Sequence, residues 1–304
     1  MHVAATTYRR LTLFALLSLM VIVVTGATVR LTGSGLGCTD WPTCEHGQLA
    51  AQANDAPAMV EFGNRVFTGV VSVAVILAVL GAIRRRPRRA DLTWLALGLV
   101  AGVIAQIILG GLVVNHHLSP KFVMGHFMLS MALITDAAVL HVRAGRPDGE
   151  AVVRTGDELT RGLARLVPVV AAITVFLGTV VTAAGPHAGD QRAARLNLVV
   201  GDVARVHSIA AWLTVLVTVA LLRAARRDAR VRRAAEVLAA TLVAQGVVGY
   251  VQYFTGVPAA LVLVHVAGAT AMWWAATNVA LSVNTTPTLV RSGHGAARTF
   301  AGSR

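Results

Sequence analysis

The sequence predicts an all-α integral membrane protein whose eight transmembrane helices form two pseudo-symmetric four-helix bundles. Three observations carry this. Apolar residues make up 56% of the 304-residue chain and charged residues only 13%, with a mean hydropathy of +0.68. That is more apolar surface than a soluble domain of this length needs. Eight stretches approach the roughly 20 apolar residues that cross a bilayer: Leu11–Val29, Val66–Ile83, Leu92–Val114, Phe122–Val142, Leu163–Ala183, Val203–Leu222, Ala234–Phe254 and Ala259–Val283. Helices satisfy their own backbone hydrogen bonds in lipid, so the spans are helical. Finally, the stretch from Gln106 to His126 returns from Gln245 to His265. Gln106 and Gln245, Gly110 and Gly249, and His126 and His265 share an offset of 139, and Pro120 and Pro258 are offset by 138. Repetition of this kind indicates two related halves.

The net charge of +13 invites a nucleic-acid reading, but its distribution argues for a membrane instead. Arg9 and Arg10, the runs Arg84–Arg89, Arg143–Arg165 and Arg223–Arg233, and three tail arginines place 21 of the 27 basic residues on one side. Only Arg30, Arg65, Lys121, Arg192, Arg195 and Arg205 fall on the other. This positive-inside pattern predicts a multi-pass protein of the cell membrane, in contact with the lipid bilayer, with both termini cytoplasmic and no nucleic-acid partner.

In chain order, Tyr8-Arg9-Arg10 before an apolar run has the look of an export signal, but seven further spans make it an uncleaved first helix. The N-terminal half is 1–145. Its first outer loop holds both cysteines, Cys38 and Cys44, on the oxidising side and close enough for a disulfide. A zinc site with His46 is the rival, though the loop lacks the paired cysteine spacing of structural zinc motifs. The sequence leaves open whether such a bridge is structural or redox-active, and leans structural. Before span two, Glu61 and Arg65 lie four residues apart on one helical face, where they can pair. That pair reads either as an interfacial anchor or as a carboxylate that handles protons at the edge of a pocket.

His116, His117 and Lys121 mark the outer turn between spans three and four. Asp136 is an intramembrane carboxylate of span four, functional or simply neutral and hydrogen-bonded, and His141 sits at its inner end. A polar cytoplasmic linker, 146–162, joins the halves. The C-terminal half, 163–283, opens with a span whose glycines repeat those of span one: Gly26, Gly33 and Gly37 align with Gly178, Gly185 and Gly189 at an offset of 152. Four spans per half give both halves the same orientation. The tail, 284–304, is short, basic and expected to be disordered.

His126, His207 and His265 each lie one to two turns from the outer end of an even-numbered span, hence at similar depth. His207 and His265 belong to one half, which suits axial ligation of one heme iron from facing helices. Core or proton-relay histidines are the alternative. Aligning span two on span six sets Asn64 opposite His207. Asparagine is a poor iron ligand, so the N-terminal half would hold a heme through His126 alone.

The loop GATVRLTGSGLGCTDWPTC from Gly26 to Cys44, the Glu61-x-x-x-Arg65 element and the histidines of spans four, six and eight resemble the heme A synthase family over nearly the whole chain. The resemblance implies oxidation of the C8 methyl of heme O to a formyl group by successive hydroxylations, with water supplying the oxygen. It implies a heme b cofactor with iron held by His207 and His265, and substrate heme O in the N-terminal half at His126, Asn64 and Arg65. It implies a catalytic Glu61 and a redox-linked Cys38–Cys44 pair. It also implies a heme O synthase and a heme-A-containing terminal oxidase as pathway neighbours. Asn64 departs from the Glu-x-x-His-Arg pattern of many members. A non-enzymatic heme carrier or b-type cytochrome is the rival, needing the histidines but not Glu61. A repeat-built transporter is disfavoured, because the marked residues cluster near the outer edge.

Overall fold

The computed structural model describes residues 2–45 and 47–285. Eight helices, each long and apolar enough to cross a membrane, account for about three quarters of it: α1 (Ala5–Leu31), α2 (Ala56–Arg84), α3 (Ala90–Asn115), α4 (Pro120–Ala144), α5 (Glu158–Ala184), α6 (Val200–Ala224), α7 (Ala229–Phe254) and α8 (Ala259–Ser282). The protein is an all-α integral membrane protein, as the hydropathy pattern predicts. The clearest shift of a boundary is at α2, which begins ten residues ahead of its apolar run. Asp55 caps it by accepting from the Ala58 amide, and Pro57 is tolerated in the first turn. Glu61 and Arg65 therefore lie inside the helix.

Alanines line many of the seams between helices, beside buried Leu92, Leu99, Ile134 and Leu140, while other branched residues face outward. Ala15, Ala74, Ala78, Ala96, Ala137, Ala164, Ala171, Ala235 and Ala276 are buried. Ile76, Ile104, Ile108 and Leu216 are exposed. This inversion of the soluble pattern lets backbones approach closely while lipid covers the branched residues. Hydroxyls within the spans turn back on their own helix: those of Thr68, Ser72, Thr135, Thr214, Thr218, Thr270 and Thr277 each donate to the carbonyl four residues earlier. Each of these hydroxyls thereby has a partner within the hydrocarbon layer.

α1 packs on α2 and α4, and α3 packs on α2 and α4. α5 packs on α6 and α8, and α7 on α6 and α8. α8 also contacts α1 and α4, and α4 contacts α5. Within that seam the Trp273 indole N–H of α8 donates to the Met131 carbonyl and the Thr135 hydroxyl of α4, at 2.8 and 3.0 Å.

The repeated segments keep the same turns. Between α3 and α4, His117 and Leu118 take φ of 50° and 59°; between α7 and α8, Gly256 and Val257 take 81° and 59°. Leu118 N–H donates to the Val113 carbonyl and Val257 N–H to the Gln252 carbonyl, closing each helix with a bond of the same span. The glycines of the α1 and α5 exits do not repeat so well. Gly33 has φ of 70°, whereas Gly185 is extended, and only the first exit carries a disulfide.

At the arginine-rich end, the basic run after α2 is not simply solvated. The Arg85 side chain is 1% exposed, and one of its terminal nitrogens donates to both carboxylate oxygens of Asp148, at 2.8 and 2.9 Å. Its other terminal nitrogen donates to the Pro87 carbonyl, and Arg89 pairs with Asp91 and donates to the Arg143 carbonyl. The segment expected to be a plain linker is tied down at two places. Asp148 holds Arg85, and Val153–Arg154 pairs antiparallel with Asn284–Thr285. Its last residues already belong to α5, capped by Asp157. The tail beyond Thr285 lies outside the described residues.

Removing one partner of a buried ion pair strands the other, at a cost of about 3–5 kcal/mol. Because Asp148 keeps some solvent access, Arg85→Ala is expected to cost about 3 kcal/mol. A lowered melting temperature in detergent would register this, and an unchanged one would show the pair to be dispensable.

Candidate functional site

The marked residues gather at the end of the bundle that carries the cysteine loop. Cys38 and Cys44 form a disulfide and both are fully buried. The short loop they close lies against the N-terminal turns of α2. Gly37 backs onto the peptide of Pro57 and Ala58, leaving no space for a Cβ. Glu61, 6% exposed, accepts from the Cys38 amide through Oε2 at 2.9 Å and from Arg65 through Oε1 at 2.6 Å. The other terminal nitrogen of Arg65 donates to the Asp40 and Thr43 carbonyls at 3.1 and 2.9 Å. Its guanidinium also lies 5.0 Å from the centroid of Trp41, a cation–π distance. Trp41 rests on α3 at Gly111, where a Cβ would meet the indole nitrogen at 2.6 Å. The i,i+4 pair read from the sequence is thus present, and it also fastens the disulfide loop across α2 and α3. The bridge removes the cysteines as thiolate zinc ligands. His46 lies outside the described residues, and among the described ones no group of three or more His, Cys, Asp or Glu is placed to hold a metal ion.

The histidines occupy matching settings. His126 on α4 and His265 on α8 each have a backbone carbonyl that accepts from a glutamine of the preceding helix, Gln106 at 3.1 Å and Gln245 at 2.8 Å. Each ring faces a glycine of that helix: a Cβ would meet Cε1 at 3.6 Å at Gly110 and at 3.2 Å at Gly249. Each Nδ1 is buried without a hydrogen-bond partner. His207 on α6 sits against Gly178 in the same way, with 3.2 Å from a Cβ to Cε1, and its Nδ1 is 2.9 Å from the Thr174 carbonyl. A carbonyl only accepts, so Nδ1 carries the proton and Nε2 presents its lone pair. An outward-held Nδ1–H of this kind is the usual support of a metal-binding imidazole.

The His207 and His265 ring centroids are 6.4 Å apart and the planes cross at 79°. Two imidazoles bound trans to one metal at about 2.0–2.1 Å, with each nitrogen about 1.2 Å from its ring centroid, have centroids about 6.4 Å apart. That separation leaves room for one metal ion between the two rings, and His207 and His265 are the residues that would hold a heme iron when one is bound.

The counterpart in the first half is different. Asn64 accepts through Oδ1 from the Thr25 hydroxyl at 2.8 Å. A Cβ at Gly26, the counterpart of Gly178, would have nothing within 4 Å. Among the described residues no hydrogen bond or ring contact joins Asn64 to His126. The first half thus offers one imidazole, a small amide held aside and open space where the second half has a ring.

Other candidates are placed elsewhere. Arg30 donates from Nε to the His187 carbonyl at 2.6 Å and from a terminal nitrogen to the Thr182 carbonyl at 2.8 Å. Gly35 N–H donates to the Gly189 carbonyl, and Leu118 packs on both glycines. Arg30 is therefore a latch between the α1 and α5 exits. His116 and His117 are exposed, and the His116 ring lies 4.7 Å from Phe122. Arg205 pairs with Asp202 on the surface. Asp136 lies against Gly98, away from the cysteine loop. His141 is at the far end, 3.1 Å from the Thr12 hydroxyl. Sequence reasoning missed the Thr25–Asn64 bond and the Gln–His carbonyl bonds. The glutamines were visible as repeat positions, but only the fold shows which group they cap.

A family model described as cytochrome oxidase assembly protein, COX15-CtaA, matches residues 9–277. The chain is 30% identical over 155 residues to a heme A synthase of Exiguobacterium sibiricum, a match covering 49% of this chain and 52% of that protein. It is 33% identical over 134 residues to a heme A synthase of Bacillus pumilus, covering 43% and 42%. A 70-residue match, 36% identical, links it to a protoheme IX farnesyltransferase of Thermus thermophilus, covering 23% of this chain and 11% of that protein. The matches span about half the length of these heme A synthases.

Arg65→Gln would release the Asp40 and Thr43 carbonyls and strip Glu61 of its counter-ion. With one charged hydrogen bond worth about 1.5–3 kcal/mol, reduction of Cys38–Cys44 by an external thiol is expected to quicken about tenfold or more. Alkylation of the freed cysteines against time reads this directly. An unaltered rate would mean that the loop is held by the bridge and Trp41 alone.

Proposed function

We propose, for a chain that belongs to the COX15-CtaA cytochrome oxidase assembly family, that it acts as a heme A synthase on substrate heme O. The observation that carries this is the duplicated histidine setting and the one place where it is broken. His126 and His265 share a capped carbonyl, a glycine opposite the ring and an unpartnered buried Nδ1. His207 completes a pair with His265, and Asn64 leaves His126 without one. A closed two-histidine site suits electron transfer and a site with a free face suits reaction. On this reading the chain divides at the linker into a substrate half and a cofactor half, each a four-helix bundle, in the cell membrane with both termini cytoplasmic.

The chemistry proposed is oxidation of the C8 methyl of heme O, first to the alcohol and then to a hydrated aldehyde that loses water to give the formyl group. Each oxidation takes oxygen from water and gives up two electrons and two protons. Heme b, when bound by His207 and His265, would supply a one-electron carrier through which these electrons pass singly to an external electron acceptor. The protein's own groups do the rest. His126 orients the substrate, and Asn64, turned toward Thr25, keeps its second face uncovered. Glu61 receives protons at the loop end and Arg65 holds it in place. Heme O synthase, which would supply the substrate, and a heme-A-containing terminal oxidase, which would consume the product, are the neighbouring steps.

One observation favours the rival reading of a heme carrier or b-type cytochrome: both oxygens of Glu61 are engaged, by the Cys38 amide and Arg65, as a purely structural carboxylate would be. The two readings part on Glu61→Ala. For the synthase, membranes that make heme O retain bound heme b and lose heme A at least about 100-fold, the scale of a lost acid–base group. Heme A made at the normal rate removes Glu61 from the chemistry, and no heme A even from the unaltered protein supports the carrier.

Asn64→His tests the open face separately. It places a ring where Gly26 leaves space, and is expected to turn the substrate-heme absorption and paramagnetic resonance low-spin. Unchanged spectra would show that position 64 does not face the iron.

A further inference from the structure

We propose, on the reading of His207 and His265 as heme-iron ligands, that His187 in the loop between α5 and α6 is a positioning residue for His265: it fixes the turn from which α8 starts, and so the place of the ring. His187 Nε2 lies 2.8 Å from the Val257 carbonyl. A carbonyl only accepts, so Nε2 carries the proton and donates. Val257 has φ of 59°, a region that a β-branched residue rarely enters and keeps only where its surroundings hold it. Its N–H donates to the Gln252 carbonyl of α7 at 2.7 Å. Both backbone groups of this residue are thus engaged, one by α7 and one by His187. Pro258 follows as the N-cap of α8, and His265 is the seventh residue of the helix that begins at Ala259. The turn therefore sets how α8 lies along α7. That register decides which α7 residue the His265 ring meets, and the contact with Gly249 leaves little slack.

The repeat supports this. At the offset of 152 that sets Gly33 and Gly37 on Gly185 and Gly189, His187 falls on Gly35; at the offset of 139, Val257 falls on Leu118. The same two positions meet in the first half. A Cβ at Gly35 would stand 2.9 Å from Leu118 Cδ1, and Leu118 also has φ of 59°. In each half, then, the exit of the first helix touches the left-handed residue that precedes the histidine-bearing last helix. The first half makes this contact with an apolar side chain on a glycine, the second with an imidazole N–H on a carbonyl. His187 is itself fixed, because its own carbonyl accepts from Arg30 Nε at 2.6 Å. Arg30 of α1, His187 and Val257 thus form a continuous hydrogen-bonded path from the first half to the start of α8.

The test uses the full chain in detergent, with His187→Ala, His187→Gln and Val257→Gly, and two readouts. The first is the low-spin ferric paramagnetic resonance of bound heme, which follows the angle between the two imidazole planes, 79° between these rings. It is expected to shift or split in His187→Ala and to return in His187→Gln, whose amide N–H can donate to the same carbonyl. The second is amide hydrogen exchange of residues 258–265 without heme, expected to quicken about two- to tenfold in His187→Ala, the scale of one lost hydrogen bond. Glycine adopts positive φ freely, so in a Val257→Gly background His187→Ala should change either readout far less. Unchanged resonance and exchange in His187→Ala overturn the role, as does a change that glutamine fails to reverse. Faster exchange with an unshifted resonance makes His187 a staple of the loop and overturns its action on the ring. Absence of a two-imidazole resonance from the unaltered chain overturns the ligand reading instead, and the exchange data then show separately whether His187 holds α8.

Discussion

An imidazole pressed against a glycine of the preceding helix is the contact on which the functional end of this protein depends. It occurs in three of the four consecutive helix pairs: His126 on Gly110, His207 on Gly178 and His265 on Gly249. At Gly178 and Gly249 a Cβ would stand 3.2 Å from Cε1, tighter than ordinary contact, while at Gly110 the distance is an ordinary 3.6 Å. The contact sets the Cε1 edge of each ring against the neighbouring helix. His126 and His265 share their setting, because the turns that follow α3 and α7 are built alike. The fourth pair, α1 with α2, keeps the glycine but not the histidine. Gly26 faces open space and Asn64 is drawn to Thr25. At this contact the halves differ by a histidine in one and an asparagine in the other, within a repeated packing scheme.

Much of this was legible in the chain because membranes impose simple rules. The eight spans follow from hydropathy, and the pairing of Glu61 with Arg65 follows from helical spacing. The offset shared by Gln106, Gly110 and His126 with their second copies is a direct trace of the repeat. What could not be read depends on where separate segments meet. Arg30 reads as an interfacial cation, yet it donates to carbonyls of the α5 exit more than 150 positions away. Arg85 reads as one member of a solvated basic run, yet it is buried against Asp148. α2 starts early because a cap at Asp55 and a tolerated Pro57 extend the helix into polar sequence, which hydropathy alone does not register.

Charge serves two different purposes at the two ends. At the arginine-rich end it is abundant, and part of it is spent internally: Arg85 and Arg89 bind Asp148, Asp91 and backbone carbonyls, fastening the linker to α2 and α3. At the cysteine-loop end charge is sparse, and two of its arginines are committed to holding loops. Arg30 latches the two exits together, and Arg65 holds the loop. A buried guanidinium placed among carbonyls satisfies groups that water would otherwise serve, which matters where a loop lies at the edge of a bilayer.

The disulfide and the carboxylate are consequently one unit. Cys38 contributes half of the bridge through its sulfur and a hydrogen bond to Glu61 through its amide. Arg65 closes the circuit, binding the other oxygen of Glu61 and the carbonyls of Asp40 and Thr43, both within the bridged loop. Opening the bridge therefore frees the peptide that donates to Glu61, and a change of charge on Glu61 alters the hold on the peptide that carries Cys38. The loop's oxidation state and the carboxylate's protonation are thus linked through a single amide, and linkage of this kind is reciprocal.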